Sequence, residues 1–182
     1  MNQLEKAILD GAKAAQSEYE DMTGWWLSHG PESFLMCTIA NKVTKKGGFW
    51  VFVDASPKKI REEREDGPPR GRPPKNLAQR FDIVVWAKAS NDVRAIIEIK
   101  RAWSIANLRG DRRKIAEFME KNEHVKTGYL LAYTEAKGRQ RDTTLSHRLK
   151  TWAESLKCTL VGSTSNVKGD GEWGWAIGLF RI

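Results

Sequence analysis

The chain has 182 residues, of which 40% are hydrophobic and eight are Trp, a composition that supports one sizeable core and argues against disorder. It carries 31 Lys and Arg against 23 Asp and Glu, and the resulting net charge of +8 is consistent with a polyanionic partner. The chain has no run of about eighteen apolar residues and no apolar signal core at 1–10, so we expect no membrane partner and a cytoplasmic protein.

Apolar spacing and turn residues predict an alternation of helices and strands. In chain order, the pattern predicts helices at 2–21 and 31–45, a strand at 48–55, two strands within 80–103, a helix at 104–122, a strand at 127–133, a helix at 141–157, and strands at 158–162 and 173–182 around a polar loop at 163–171. A basic insert at 57–79, rich in Pro and Gly, separates the first two strands, and its first part has the pattern of a short helix. This order indicates a single α/β layered domain over 1–182.

The hairpin predicted at 80–103 carries the most specific pattern of the chain. Val, Ile and aromatic residues fill both strands, and polar residues between them supply a tight turn. If that turn centres near Ser90, Asp82 lies opposite Glu98. Lys100 projects from the same face as Glu98, because side chains alternate along a strand. Two carboxylates this close repel each other unless a cation lies between them, and oxygen ligands suit Mg²⁺, so the hairpin predicts a divalent-metal site.

Asp82 followed by Glu98-Ile99-Lys100 resembles the motif of the PD-(D/E)XK nuclease superfamily, in which an Asp on the second core strand precedes Glu-x-Lys or Asp-x-Lys on the third. The residue before Asp82 is Phe81 instead of the motif's Pro, a position that is often replaced in the family, so the departure does not affect the chemistry. The resemblance implies a restriction-endonuclease-like core, with a mixed central sheet flanked by helices in the order αβββαβ.

The same resemblance implies roles for the motif residues. Asp82, Glu98 and the main-chain carbonyl of Ile99 would hold Mg²⁺ or Mn²⁺. Lys100 would position the attacking water beside a phosphodiester.

Family members commonly add an acid from the first core helix, and Glu32 is the best match for it. Asp54, at the end of the first predicted strand, is a weaker candidate. An acid in a first helical turn is also ordinary helix-initiation chemistry, so both interpretations of Glu32 stay open.

A structural interpretation of the motif competes with the catalytic one. Charged residues make up 30% of the chain, so Glu-x-Lys triplets arise easily by chance. The three motif side chains could equally form a cross-strand ion pair on a solvated sheet face, which stabilises little. A second Glu-x-Lys triplet, at 135–137, has no Asp-bearing strand immediately before it and is predicted to be a loop that leaves a strand.

Basic residues flank the predicted site in two places, the end of the insert and the helix after the hairpin. Each group could contact a phosphate backbone, or form a solvated linker and a solvated helix face. These residues are Arg70, Arg72, Lys75, Arg80, Arg113 and Lys114.

The sequence therefore favours a Mg²⁺-dependent nuclease that hydrolyses phosphodiester bonds in DNA. The alternative is a nucleic-acid-binding module on the same fold that does not cut. A third interpretation is a structural or protein-interaction domain whose charges are incidental. The resemblance also implies a homodimer, because many family members cut two strands with paired subunits, although the sequence displays no interface.

Overall fold

The computed structural model describes residues 1–64, 79–90, 92–123, 125–137, 141–166 and 173–182. The helices are α1 (Gln3–Thr23), α2 (Glu32–Lys45), α3 (Pro57–Arg64), α4 (Ala106–Lys121) and α5 (Arg141–Leu156), with a 3₁₀ turn at Leu27–His29. The strands are β1 (Phe49–Ala55), β2 (Phe81–Ala87), β3 (Asp92–Arg101), β4 (Thr127–Lys137), β5 (Thr159–Asn166) and β6 (Trp173–Arg181). All the predicted helices and strands are present, including the short helix that begins the insert at 57–79.

The six strands form one mixed sheet in the order β1-β2-β3-β4-β6-β5. Strands β3 and β4 are parallel, with α4 between them in the chain, and the other neighbouring pairs are antiparallel. Helices cover both faces of the sheet, which confirms the predicted α/β class with a mixed central sheet flanked by helices. None of the described helices is long and apolar enough to cross a membrane.

Side-chain alternation along the central strands divides the core into two layers. On one face, Val84 and Ile96 belong to a buried cluster with residues of α4 and α5. On the other face, Ile83, Ile97 and Ile99 belong to a cluster with residues of α1 and α2. Even-numbered residues at the start of β2 and the end of β3 therefore point towards α4.

A β-bulge at Arg94 shifts the register of β2 against β3. Beside the turn, Trp86 pairs with Val93, whereas the next pair along β2 joins Val85 to Ala95. Arg94 is thus the extra residue on β3, and the two strands continue one position out of their initial register.

The shifted register decides which residues meet at the far end of the hairpin. Ile83 pairs with Ile97, so the next position along both strands places Asp82 opposite Glu98. Continuing the register found beside the turn would instead place Asp82 opposite Ile97. The bulge is therefore what brings the two acids onto one face.

Buried polar contacts fix α1 against the sheet. Glu5 accepts a hydrogen bond from the hydroxyl of Tyr129 at 3.1 Å. Oε1 of Gln16 accepts hydrogen bonds from the hydroxyl of Tyr133 at 3.1 Å and from the main-chain nitrogen of Leu27 at 3.2 Å. The contacts of Gln16 hold the connection between α1 and α2 close to β4.

Two predicted strand ends are wrong. Strand β4 continues to Lys137, so the triplet at 135–137 belongs to the strand and not to a loop, and its first two residues are buried. It extends because β6 pairs alongside it as far as Lys137 opposite Trp173, which is a tertiary contact. Strand β5 likewise continues into the predicted polar loop as far as Asn166, while 167–172 lie outside the described residues.

The close approach of α4 to β4 gives a test of this packing. A Cβ added at Gly128 would lie 2.1 Å from Cγ2 of Ile115 and 2.7 Å from the sulfur of Met119. We expect Gly128→Ala to lower the free energy of unfolding by about 1–3 kcal/mol, because buried neighbours have to shift. Gly110→Ala, on α4, is the control: its Cβ meets no neighbouring atom, and the change should stabilise the helix by about 0.5–1 kcal/mol. Urea denaturation measures both, and an unchanged midpoint for Gly128→Ala would contradict the packing.

Candidate functional site

The ends of four strands meet at one edge of the sheet. Ala55 pairs with Phe81, so the end of β1 lies beside the start of β2. The β2–β3 pairing brings this start beside the end of β3, and the parallel strand β4 ends at the same edge. The motif residues all lie at this edge.

Asp82 is held at the edge by a hydrogen bond to the neighbouring strand. Its Oδ2 accepts this bond from the main-chain nitrogen of Ile99 at 2.7 Å. Burial raises the pKa of Asp82, the Ile99 hydrogen bond opposes the rise, and the nearby carboxylate of Glu32 adds to it. The carboxylate of Asp82 therefore lies in a setting that disfavours its charge.

Glu98 is the most buried acid of the motif, with 5% of its surface exposed. Burial raises its pKa from the ordinary 4.5 to about 7, and the charges of Asp82 and Asp111 add to the rise. Oε1 of Glu98 accepts a hydrogen bond from Nζ of Lys114 at 2.5 Å, which opposes the rise. Negative charge is thus concentrated around Glu98, and Lys114 supplies a counter-charge.

Helix α4 brings two charged side chains to the motif. Asp111 and Lys114 are three residues apart and so share a face of the helix. Nζ of Lys114 lies 4.9 Å from the centre of the Phe81 ring, and Asp111 raises the pKa of both Asp82 and Glu98. The sequence predicts a phosphate contact for Lys114 and does not single out Asp111. The signal that could identify both is their spacing on the helix directly after the motif.

Glu32 reaches the edge from the first turn of α2, on the other side of the sheet. Its Oε1 lies 3.4 Å from the main-chain nitrogen of Arg101, which donates a long hydrogen bond to it. The guanidinium of Arg101 donates to the carbonyl oxygen of Ser28, which ties the α1–α2 connection to the end of β3. Glu32 also raises the pKa of Asp82, so its charge lies near the motif. We call Asp82, Glu98, Asp111 and Glu32 together the acidic site.

Lys100 and Ile99 complete the motif on β3. Lys100 is half-buried and, two residues beyond Glu98, projects to the same face. Ile99 buries its side chain in the α1–α2 core. The ion pair of Glu98 is made with Lys114 rather than with Lys100, so the simple cross-strand ion pair within the motif is not what the structure contains.

The other basic residues predicted to bind nucleic acid are distributed differently. Nη2 of Arg80 lies 2.6 Å from Oδ2 of Asp54, and the hydrogen bond from Arg80 lowers the pKa of Asp54. Arg113 is exposed and lies 3.9 Å from Glu117, its neighbour one helical turn away. A role of these residues in nucleic-acid binding stays a prediction. Outside the described residues lie Arg70, Arg72 and Lys75.

The described part of the chain does not contain a ready-made cage for a metal. In these ranges, no group of three or more His, Cys, Asp or Glu side chains is placed to hold an ion. Asp82 and Glu98 provide two carboxylates, and Mg²⁺ commonly uses one or two together with waters and substrate phosphates. The donor set therefore suits a metal that substrate helps to bind.

Comparison of the chain with protein-family models, with curated proteins and with solved structures finds no match. The fold and site define an α/β protein with a partly buried acidic site at one edge of a mixed sheet.

The raised pKa of Glu98 predicts how stability depends on pH. The folded protein binds this proton more tightly than the unfolded chain, so the group stabilises the fold fully below about pH 4.5 and ceases to do so as the pH rises through about 7. Between these pH values the free energy of unfolding of the parent should fall by an amount on the order of 3 kcal/mol through this group. We expect Glu98→Gln, whose side chain stays neutral, not to show this fall.

Urea titrations of the parent and Glu98→Gln at several pH values across this window measure the difference. Glu117→Gln, on an exposed part of α4, is the control and should follow the parent. The same pH profile for the parent and Glu98→Gln would contradict the raised pKa.

Removing the counter-charge of Glu98 tests its contact with α4. Lys114→Met keeps an apolar chain near Phe81 but leaves the carboxylate unpaired, so we expect the free energy of unfolding above pH 7 to fall by about 1–3 kcal/mol. The loss should shrink below pH 4.5, where Glu98 is protonated. Lys121→Met, in the last turn of α4, is the matched control. A loss of equal size at both pH values would show that the ion pair is not the cause.

Proposed function

We propose that the protein is a Mg²⁺- or Mn²⁺-dependent nuclease of the PD-(D/E)XK class that hydrolyses phosphodiester bonds, most readily in DNA. The observation that carries the proposal is the juxtaposition on one face of a half-buried acid, Asp82, and a buried acid, Glu98, whose pKa values are both raised. Carboxylates crowded together repel each other when no cation lies between them, and a cation that binds there relieves this repulsion. Lys100 on the same face supplies the third group of the motif.

The order of elements supports the restriction-endonuclease-like part of this proposal. Helix α2, strands β1 to β3, helix α4 and strand β4 follow one another in the chain, with α3 between β1 and β2. Strands β1 to β4 are neighbours in this order in the sheet, and β4 runs parallel to β3. This is the αβββαβ order that the resemblance implies.

The residues present fit a hard divalent cation. The carboxylates of Asp82 and Glu98, with the main-chain carbonyl of Ile99, would hold it, and Glu32 would assist directly or through a water. A bound cation would stabilise the negative charge that develops on the phosphate during attack.

The chain's own cations have separate tasks in the proposed reaction. Lys100, on the face of Glu98, would orient the attacking water through its ammonium. Lys114 pairs with Glu98 in the protein alone. As nucleic acid enters, its ammonium would turn to a phosphate oxygen, which is the contact that the sequence predicts for it. Arg80 and Arg113 would add phosphate contacts at the rim.

A second candidate function is a nucleic-acid-binding module that does not cut. The short contact between Lys114 and Glu98 favours it, because an ammonium already supplies positive charge to that carboxylate. If this pair persists with nucleic acid bound, the acidic site would not recruit a metal. The homodimer stays a prediction of the resemblance.

Cleavage of plasmid DNA with Mg²⁺ tests the nuclease proposal. We expect Asp82→Asn, Glu98→Gln and Lys100→Met each to lower the cleavage rate by about 100-fold or more, because each removes a group that acts on the reacting phosphate. The matched controls are Glu117→Gln and Lys121→Met. They make the same kinds of substitution on α4, away from the site, and these variants should cleave like the parent.

Binding of the same DNA in EDTA separates the candidates. Variants that no longer cut should keep salt-sensitive binding, since phosphate contacts by basic residues supply most of the affinity. A parent that binds but never cuts supports the non-cleaving module, and a parent that shows no salt-sensitive binding supports a structural role.

A further inference from the structure

A cleft of about 770 Å³ lined by tryptophans opens at the same sheet edge as the acidic site. Trp25 and Trp26 come from the α1–α2 connection, Trp103 from the β3–α4 connection, and Trp173 from the start of β6. Trp25, Trp103 and Trp173 are 63%, 59% and 45% exposed. Rings that gather from three separate segments and stay open to solvent indicate a binding surface rather than core packing. We call this the tryptophan cleft.

The tryptophan cleft adjoins the acidic site through the end of β3. Trp103 is three residues beyond Lys100, a separation of at most about 10 Å along the backbone. Arg101, between them, bonds to Ser28 and so holds the connection that carries Trp25 against the same strand end. A chain with a phosphate at Lys100 would have its next nucleotides within reach of these rings.

Two cationic side chains flank the rings. The guanidinium of Arg148 donates to Oγ1 of Thr134 and to the carbonyl oxygen of Glu135, both at 2.7 Å, which holds it in the wall of the cleft. Nζ of Lys137 lies 5.6 Å from the centre of the Trp173 ring. Cations beside exposed aromatic faces suit a ligand that combines flat rings with negative charge.

One buried acid also lines the cleft. Glu135 is 7% exposed, and its Oε1 lies 3.2 Å from the hydroxyl of Tyr133, whose single proton it shares with Oε1 of Gln16. A carboxylate at this position is an acceptor for the amino groups of bases. The rings suit the face of a base, the cations suit a phosphate, and the acceptor suits the edge of a base. The cleft thus matches three features of a nucleotide.

We propose that the tryptophan cleft binds unpaired bases of a nucleic-acid strand, so that the substrate has a single-stranded segment beside the bond presented to the acidic site. Bases inside a duplex have no free face, so access to these rings requires that they be unpaired. That the adjoining bond is cut rests on the nuclease function proposed above, whereas base binding is measured without cutting.

Fluorescence anisotropy in EDTA tests base binding, with a labelled single-stranded oligonucleotide of mixed sequence and an abasic backbone of the same length. We expect the parent to bind the base-bearing strand at least about 10-fold more tightly than the abasic one, since stacking adds to phosphate contacts. Trp103→Ala and Trp173→Ala should each weaken binding of the base-bearing strand by about 5- to 150-fold, and binding of the abasic strand by less than about 2-fold.

Trp50→Ala is the matched control. Its ring is 43% exposed, but it lies opposite Trp86, towards the turn end of the hairpin and away from the cleft. Its affinity for both probes should equal that of the parent, and thermal midpoints of the three variants show whether the fold is kept. Equal binding of both probes by the parent, or cleft variants that behave like Trp50→Ala, would overturn the proposal.

Cleavage with Mg²⁺ separates this inference from the nuclease function. Base-dependent binding by a parent that never cuts supports the cleft and refutes the nuclease. Cleavage of duplex DNA by a parent that binds both probes equally refutes the cleft and leaves the nuclease in place. Tight binding of a small aromatic compound without base-dependent binding of the strand also refutes it.

Discussion

The burial of the Glu98 carboxylate against α4 is the constraint on which the site depends. A carboxylate in an apolar layer must be protonated or paired, because an isolated buried charge is far too costly. The 2.5 Å contact with Lys114 provides the pairing and turns a defined face of α4 towards β3. The same face carries Asp111, whose negative charge disfavours the ionised form of Glu98 and so raises its pKa. The result is a site in which several carboxylates surround one ammonium group, that of Lys114.

The strands and the motif could be predicted from the sequence because both depend on local patterns. Alternation along β2 and β3 places Asp82, Glu98 and Lys100 on one face for any register that keeps the two acids opposed. The bulge at Arg94, which produces this register, leaves no clear signature in residue types. The outcome was predictable here, whereas the backbone irregularity behind it was not.

Features that depend on tertiary contact were beyond the sequence pattern. The rotation of α4, fixed by buried Ile115 and Phe118, decides that Lys114 meets Glu98 rather than solvent. The extension of β4 through a charged triplet depends on pairing with β6. The tryptophan cleft unites Trp25 with Trp173, from opposite ends of the chain, and composition alone records only that tryptophan is abundant.

The bulge at Arg94 takes up one extra residue on β3 and so determines which face of the sheet the later residues of that strand occupy. Because side chains alternate along a strand, an Arg94 taken into the regular ladder without the bulge would carry Glu98 and Lys100 to the layer of α1 and α2, while Asp82 stayed on the side of α4. Deleting Arg94 would instead close the bulge and keep Asp82 opposite Glu98. Gaining or losing two residues between the bulge and Glu98 would keep the side but move the acids apart along the strand. The site therefore depends on the spacing of residues along β3 as much as on their chemistry: one residue inserted between the bulge and Glu98 would erase it even with every acid and lysine retained.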